Sequence, residues 1–506
     1  MLKILDKFID SITMYRLLLY YLVGLLLAAF VLSVFGSLHY NPVYIVVSSA
    51  ILLATCWIVN KAFSYILDAP INPESSLITA LILALIITPD PTGYNILFLL
   101  AASGLAMASK YLITIKEKHI FNPAAVAVVL TAFGPKQTAS WWVGTAAMLP
   151  FVLIGGLLVM RKIRRERMLA SFFIATTAST IFYSVISRVS VISSLHNMIL
   201  SSSIFFLGFV MLTEPLTSPT TVKKQAWYGA IVGALLPPQV HIFSYYTTPE
   251  LSLIIGNAFA YIVSPKTKLF PILKQKIKVA TDTADFIFNP DRKFAYEPGQ
   301  YMEWTLQHGN ADSRGSRRYF TLASSPTEPD LRVGIKFYDN SSSFKEALLD
   351  SDSNTLIVAS QLAGDFVLPK DPHQKLVFIA GGIGITPFRG MIKYLIDTND
   401  KRSISLFYSS STEDGIAYRN IFEEARSKIG LKTIYAITGK NAAITKPNTI
   451  TGYITESLIK KSVPDYRERV FYISGTHTMV EAMQDILSGL GVEKHNIKTD
   501  FFPGYA

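Results

Sequence analysis

Two short strings carry the residue types that dinucleotide redox chemistry needs. In Arg318-Tyr319-Phe320-Thr321 a guanidinium, aromatic rings and a hydroxyl follow one another directly. A guanidinium binds a pyrophosphate by paired hydrogen bonds, a ring covers an isoalloxazine, and a hydroxyl reaches the flavin N5 atom. In Gly381-Gly382-Ile383-Gly384-Ile385-Thr386-Pro387 the glycines let backbone amides approach a dinucleotide, and Pro387 suits a helix start. Ser341 to Leu348 reads as a serine-capped helix, and the free N–H groups at its start, near Ser342 and Ser343, suit a pyrophosphate. Together these residues point to hydride transfer from nicotinamide C4 to flavin N5, where the protein mainly positions two rings.

The elements that must hold these residues are legible around them. Lys375 to Ala380 reads as a buried strand, Pro387 to Ile396 as a helix, Ser403 to Tyr408 as a strand, Tyr418 to Ile429 as a helix and Lys432 to Ile437 as a strand. Such alternation predicts an α/β domain over 371–506 with a parallel sheet and ligands at its strand ends. Upstream, Ala280 to Phe294 and then Glu297-Pro298-Gly299-Gln300-Tyr301 alternate around a hairpin signal, which predicts a soluble antiparallel β-barrel over 281–370. A basic linker, 266–280, precedes it.

Residues 1–265 suit a different solvent. Half of the chain's residues are hydrophobic (50%), and apolar stretches begin near Tyr15, Pro42, Ser75, Gly93, Phe121, Ser140, Met168, Asn197, Ala226 and Glu250. A helix needs about 20 apolar residues to cross a bilayer, so these stretches predict a polytopic α-helical membrane domain of about ten segments. Positive charge follows every second stretch: Lys110, Lys116 and Lys118; Arg161, Lys162, Arg164, Arg165 and Arg167; Lys223 and Lys224; and Lys266 to Lys278. The positive-inside rule then puts the N-terminus and the reductase domain in the cytoplasm of a multi-pass cell-membrane protein. The first stretch reads as a span rather than a signal peptide, because no small-residue cleavage site follows it.

Composition excludes other chemistries. The single Cys56 allows neither an internal disulfide nor a cysteine-ligated iron–sulfur cluster within one chain, and no metal site is expected. The net charge of +11 is concentrated at the ends of apolar stretches, which favours a lipid bilayer rather than nucleic acid. His39, His119, His196 and His241 fall in loops or segment ends, not in the stacked pairs that a transmembrane haem requires. Three polar-proline strings do stand at cytoplasmic ends: Ile71-Asn72-Pro73-Glu74-Ser75-Ser76, Phe121-Asn122-Pro123-Ala124-Ala125 and Thr213-Glu214-Pro215-Leu216-Thr217-Ser218-Pro219. They read either as capped helix starts or as broken helices lining a cavity, with Glu214 the best ionisable candidate.

On those three strings, residues 1 to about 265 resemble the D-type membrane protein of the Rnf electron-transport complex and the B-type membrane protein of the sodium-pumping NADH:quinone reductase, a fold of ten transmembrane helices. The resemblance implies a flavin, but the family's Ser-Gly-Ala-Thr attachment string is absent. Val143-Gly144-Thr145-Ala146 and Ile174-Ala175-Thr176-Thr177 are its nearest counterparts, which leaves a non-covalent FMN or no membrane cofactor. The segment from about Thr281 to Ala506 resembles the ferredoxin-NADP reductase superfamily, with its FAD-binding and NAD-binding domains. Its Arg-x-Tyr-Ser/Thr motif falls on Arg318, Tyr319, Phe320 and Thr321, with Phe320 in place of the stacking Tyr. The resemblance places the FAD pyrophosphate at Ser342 and Ser343, and the nicotinamide beside Ser474, Gly475 and Met479, where Ser474 replaces Cys and Thr476 replaces Pro. It sets Asp500 and Phe502 near the flavin, and Ser409 to Ser411 with Glu413 and Asp414 around the adenosine.

The expected function is a membrane-bound FAD-dependent NAD(P)H oxidoreductase whose reacting rings lie near Thr321, Ser474 and Asp500. NADH is slightly favoured over NADPH, since no Arg or Lys adjoins Ser409 to Ser411. The acceptor is a quinone, a flavin or a partner subunit. An ion transporter with a regulatory redox domain, or a haem-free ferric or quinone reductase anchored by its membrane part, are the alternatives.

Overall fold

The computed structural model describes residues 9, 12–67, 73–115, 118–134, 137–200, 203–242, 245–264, 268–309, 311–312, 315–339, 341–439 and 445–502. They form two compact units, Met1–Lys266 and Thr267–Ala506.

The first unit is helical. Helices α1 (Met14–Val34), α2 (Pro42–Ile66), α4 (Tyr94–Leu112) and α7 (Glu166–Ile186) are long and apolar enough to cross a membrane. Their outer faces carry residues such as Leu27 (62% exposed) and Ile174 (69% exposed), a surface that suits lipid tails and not water. A fifth span results if α8 (Val191–Leu200) is joined to Ile204–Leu212, a pair bent by 57°. The other apolar stretches carry shorter helices: α3 (Pro73–Ile86), α5 (Pro123–Phe133), α6 (Leu149–Ile163), α9 (Val222–Leu235) and α10 (Pro249–Val263). By length and composition the described residues therefore supply four or five spans, not the ten expected. The shortfall has a local cause, because prolines and glycines punctuate the stretches. Pro89 and Pro91 follow α3, Gly134 follows α5, and Pro237 with Pro238 follows α9. His196 lies inside α8 rather than at a segment end.

The short helices are defined by their caps and contacts. Asn122 caps α5, its Oδ1 accepting from the Ala125 N–H at 3.1 Å, with Pro123 in the first turn. Helix α9 meets α7 backbone to backbone: a Cβ on Gly229 would lie 2.3 Å from Met168 O, and one on Gly233 would lie 2.4 Å from Phe172 O. This Gly-x-x-x-Gly spacing is how small residues bring membrane helices together. Of the first Asn-Pro string, Ile71 and Asn72 lie outside the described residues.

The second unit opens with β1 (Ile272–Ala280), which runs through the segment expected to be a linker. Its lysines alternate with Leu273 and Ile277, and it pairs antiparallel with β2 (Thr283–Asn289). Strands β1, β2 and β5 (Leu331–Lys336) form one three-stranded antiparallel sheet; β6 (Ile357–Ala363), β3 (Tyr301–Leu306) and β4 (Arg317–Thr321) form another. Phe286, Phe288, Met302, Trp304 and Val333 fill one core between them. Where a barrel is expected, the strands form two three-stranded antiparallel sheets sharing this core, and a bridge between Leu269 and Ala359 links the segment before β1 to β6.

The rest is a six-stranded parallel sheet in the order β10 (Thr449–Thr451), β9 (Lys432–Ile437), β8 (Ile404–Ser410), β7 (Leu376–Gly381), β11 (Val470–Thr476), β12 (Ile497–Phe502). Strand β7 alternates between two cores. Leu376, Phe378 and Ala380 pack with helices α12 (Thr386–Asp397) and α13 (Arg419–Ile429); Val377 and Ile379 pack with α14 (Glu456–Ser462) and α15 (His477–Gly489). Strand order reverses at β7, with β8 on one side and β11 on the other, so a ligand crevice is expected at the carboxyl ends of β7 and β11.

Candidate functional site

Strand β4 presents Arg318 and Phe320 on one side and Tyr319 and Thr321 on the other, as a period of two requires. On the first side a polar cluster assembles around helix α11 (Ser343–Asp350). Arg318 Nη2 donates to Asp312 Oδ1 at 3.3 Å, and its guanidinium lies 5.3 Å from the centroid of the Phe344 ring. The Ser343 N–H donates to Asp312 Oδ2 at 3.3 Å, and Ser343 Oγ accepts from the Asp312 N–H at 2.9 Å. His308 Nε2 lies 3.0 Å from Ser343 Oγ, and the Phe320 and Phe344 ring centroids are 5.9 Å apart. Arg318, Phe320 and Ser343 are therefore brought together. Ser342 caps the helix through its backbone only and is buried. Tyr319 does not join them, since its hydroxyl donates to Glu303 Oε2 at 2.8 Å. Thr321, buried, ends the strand opposite Tyr301. Sequence reasoning missed His308, Asp312 and Phe344. A polar residue facing a serine-capped helix start was the available signal, but loop residues cannot be paired at that separation from sequence alone.

The second cluster stands at the carboxyl ends of β7 and β11. Gly382 has φ +54° and open space where a Cβ would stand, a cradle rather than a packed turn. A Cβ on Gly384 would lie 2.3 Å from Ser474 O and 2.7 Å from Gly475 Cα, so the loop crosses β11 backbone to backbone. Met479 Sδ would meet a Cβ on Gly381 at 2.0 Å and one on Gly475 at 2.8 Å, so this side chain covers both glycines. Thr386 Oγ1 donates to Ile383 O at 3.1 Å and closes the loop, and Pro387 sits in the first turn of α12. Ser474 is fully buried, and its Oγ has no hydrogen-bond partner among the described residues. Asp500 lies opposite Ser474 in the β11–β12 register. Phe502 pairs with Thr476 through its backbone; the side chain of Phe502 lies outside the described residues, as do Pro503, Gly504 and Tyr505.

The expected adenosine edge differs in detail. Glu413 is committed to the 445–446 turn: its Oε2 accepts from the Thr445 N–H at 3.1 Å, and its Oε1 from the Lys446 N–H at 2.9 Å. The Thr445 hydroxyl, which donates to Oε2 at 2.6 Å, and then these two amides hold its carboxyl below the usual range. Arg419, stacked 4.0 Å from the Tyr435 ring centroid, has its Nη2 4.0 Å from Glu413 Oε1. A cation thus stands near this edge although none adjoins it in sequence.

The two clusters meet through α12. Arg389, 3% exposed, donates from Nη2 to Glu328 Oε1 at 2.8 Å and from Nη1 to Ala323 O at 3.0 Å, its Nη1 also engaging Glu328 Oε2. Removing one partner of such a buried pair costs about 3–5 kcal/mol.

In the membrane unit a polar cluster surrounds Glu214, directly after a π-helical turn, Leu207–Leu212. Asn122 Nδ2 donates to Glu214 Oε2 at 2.8 Å, Thr217 Oγ1 donates to the same oxygen at 3.1 Å, and His119 Nε2 lies 3.7 Å from Glu214 Oε1. Asn257 adds a second tier, its Oδ1 accepting from the Asn122 N–H at 2.9 Å and its Nδ2 donating to Thr217 O at 3.2 Å. The second and third polar-proline strings therefore meet. Glu214→Leu is expected to cost about 1–3 kcal/mol by stranding Asn122 and Thr217, while Glu214→Gln keeps most of it; thermal unfolding in detergent measures both. Equal midpoints for the two variants would refute a hydrogen-bonding role. Of the proposed FMN sites, Thr176 already spends its hydroxyl on Phe172 O at 2.9 Å. Among the described residues no cluster of His, Cys, Asp and Glu has metal-holding geometry.

Residues 142–268 match the NQR2, RnfD, RnfE family, and residues 378–485 match the oxidoreductase NAD-binding domain. A glycine betaine monooxygenase reductase subunit of Chromohalobacter salexigens is 26% identical over 45% of this chain and 62% of its own length. Flavohemoprotein A of Dictyostelium discoideum is 27% identical over 46% of this chain and 59% of its own. The chain spans about three fifths of the length of these relatives. Among solved structures, Amycolatopsis cytochrome P450 reductase GcoB is 20% identical over 47% of this chain and 72% of its own, with a TM-score of 0.42. The flavohem-like FAD/NAD-binding domain of nitric oxide dioxygenase from Vibrio cholerae is 18% identical over 46% of this chain and 98% of its own, with a TM-score of 0.41. By these matches the protein joins a segment similar to the NQR2, RnfD, RnfE family to one similar to ferredoxin-NADP reductase-like flavoprotein reductases.

Proposed function

We propose that this protein is a membrane-bound FAD-dependent NAD(P)H oxidoreductase passing electrons to an acceptor in or at the membrane. The observation that carries the reading is the Gly381–Pro387 loop at the strand-order reversal, tied through Arg389 to the segment leaving β4. FAD, when bound, supplies a ring that takes a hydride and gives up electrons singly. Arg318 and the Ser343 N–H are the groups to hold its pyrophosphate, with Ser342 buried beside them; Phe320 covers the ring and Thr321 offers a hydroxyl. Tyr319 supports this edge from the opposite side of the strand. Gly381, Gly382, Gly384, Thr386 and Pro387 form the dinucleotide cradle, and Gly475 and Met479 close it. Ser474 lies near the end of its strand, at the nicotinamide, with Asp500 and Phe502 on the neighbouring strand.

In this reading the segments are a membrane domain of ten spans, 1–265, a flavin domain to residue 370 and an NAD(P) domain, 371–506. Both termini are cytoplasmic, and the acceptor is a quinone, a non-covalent FMN or a partner subunit. The deciding experiment is an anaerobic absorbance spectrum of the detergent-solubilised protein before and after NADH or NADPH, with acid precipitation to separate free from covalent flavin. One releasable FAD, bleached by the nucleotide, supports a reductase with a docking or anchoring membrane part, and a second flavin makes the membrane part an electron carrier. No flavin sinks the reading.

Asp312 supplies an internal check. Its carboxylate engages both Arg318 and the Ser343 N–H, the two donors assigned to the pyrophosphate. Asp312→Asn is expected to tighten FAD about tenfold by freeing them, one charge-assisted hydrogen bond being worth ~1.5–3 kcal/mol. Fluorescence titration of the flavin-stripped protein measures this, and weaker binding would assign Asp312 to the cradle instead.

A further inference from the structure

Within the second unit the antiparallel sheets and the parallel-sheet lobe are joined by buried polar ties. The first is Arg389 with Glu328. Arg389 stands in the first turn of α12, the helix that continues the glycine loop, and Glu328 Oε2 also accepts from the Ser325 N–H at 2.7 Å. This carboxylate thereby shapes the turn that follows Thr321. The second tie is Tyr418 with Asp285. The Tyr418 hydroxyl donates to Asp285 Oδ1, while Asp285 Oδ2, fully buried, accepts from Arg332 Nη1 at 2.6 Å. Tyr418 holds φ +60°, a left-handed conformation that a bulky residue keeps only where its surroundings impose it. Both lobes close on Gly334, where a Cβ would lie 2.4 Å from the Tyr418 hydroxyl oxygen and 2.8 Å from Thr386 Cγ2.

Apolar packing would hold two lobes at least as firmly as buried ion pairs. What directional bonds add is register, and here they act on two particular pieces: the turn after the flavin strand and the helix after the dinucleotide loop. Resting on the function proposed above, we infer that Arg389 and Tyr418 are positioning residues for hydride transfer, fixing the separation of the nicotinamide cradle from the flavin strand. Neither touches the reacting atoms.

The test uses the full-length protein in detergent and anaerobic stopped-flow reduction by NADH and by 4-deuterated NADH. Tyr418→Phe, which removes one hydroxyl, is expected to keep its FAD and its NADH affinity within about twofold. Its flavin reduction should slow about tenfold, since small misplacements of reacting groups are costly. Two signals mark positioning rather than folding: a weaker long-wavelength charge-transfer band and a larger isotope effect. Glu328→Gln should show the same pattern more strongly; if it fails to fold, Tyr418→Phe decides alone. Wild-type rate and band in Tyr418→Phe overturn the inference whatever its thermal midpoint. A wild-type protein that binds FAD but is reduced by neither nucleotide overturns the functional reading itself, a result recognisably different from unaltered variants.

Discussion

Gly384→Ala is expected to retain FAD yet lose at least about 100-fold in the rate of flavin reduction by NADH. The added carbon would stand 2.3 Å from Ser474 O, 2.5 Å from Ser474 C and 2.7 Å from Gly475 Cα. All three are backbone atoms of a central strand, so no side-chain rotation relieves the clash. The loop must lift away from β11, and a displacement near 1 Å is enough to cost about 10²-fold when reacting groups must be aligned. Flavin content serves as the control, because the flavin strands are untouched. A reduction rate within threefold of wild type would show that the loop does not carry the nucleotide. Gly382→Ala is the informative companion. It meets no atom, but it strains a backbone at φ +54°, so a milder loss separates conformational cost from collision.

The second large effect belongs to Arg318. Arg318→Ala should purify with little flavin and bind added FAD about 10²–10⁴-fold more weakly, the loss of two charge-assisted hydrogen bonds at ~1.5–3 kcal/mol each. Arg318→Lys should recover only part of this, because an ammonium is a point charge and cannot match a planar fork. Calorimetric titration of FAD into stripped protein reads both. Undiminished affinity in the alanine variant would move the pyrophosphate elsewhere. The aromatic neighbours make the outcome specific: Arg318 lies over the Phe344 ring, so the alanine variant loses a packing contact as well as a charge.

What sequence offers of this candidate site is local. Arg318 to Thr321 and Gly381 to Pro387 are contiguous strings, and the strand-helix alternation from Lys375 to Ile437 appears in the fold within two residues at each boundary. What sequence could not supply were partners far apart in the chain. Arg389 and Glu328 are separated by 61 positions, Asp312 and Ser343 by 31, and Asn122 and Glu214 by 92. Nothing in local spacing couples such residues. Strand β1 was hidden for a different reason: its lysines suggested a charged tether, although their alternation with Leu273 and Ile277 is that of an edge strand with one wet face. In the membrane unit hydropathy marks the apolar stretches but does not see where proline and glycine end the hydrogen-bonded helix, so helix length was not legible there.

Those short helices bear on how the chain enters its membrane. Helix α5 has 11 residues and α9 has 14, lengths of roughly 16 and 21 Å against a hydrocarbon core of about 30 Å. Alone, neither presents the stretch by which an insertion machinery recognises a span, and each would leave unpaired backbone groups in lipid. The Gly229–Gly233 face of α9 is instead complementary to the backbone of α7, which is synthesised earlier. The expected consequence is an ordered biogenesis, in which long helices partition first and the short ones enter as passengers of partners already in place.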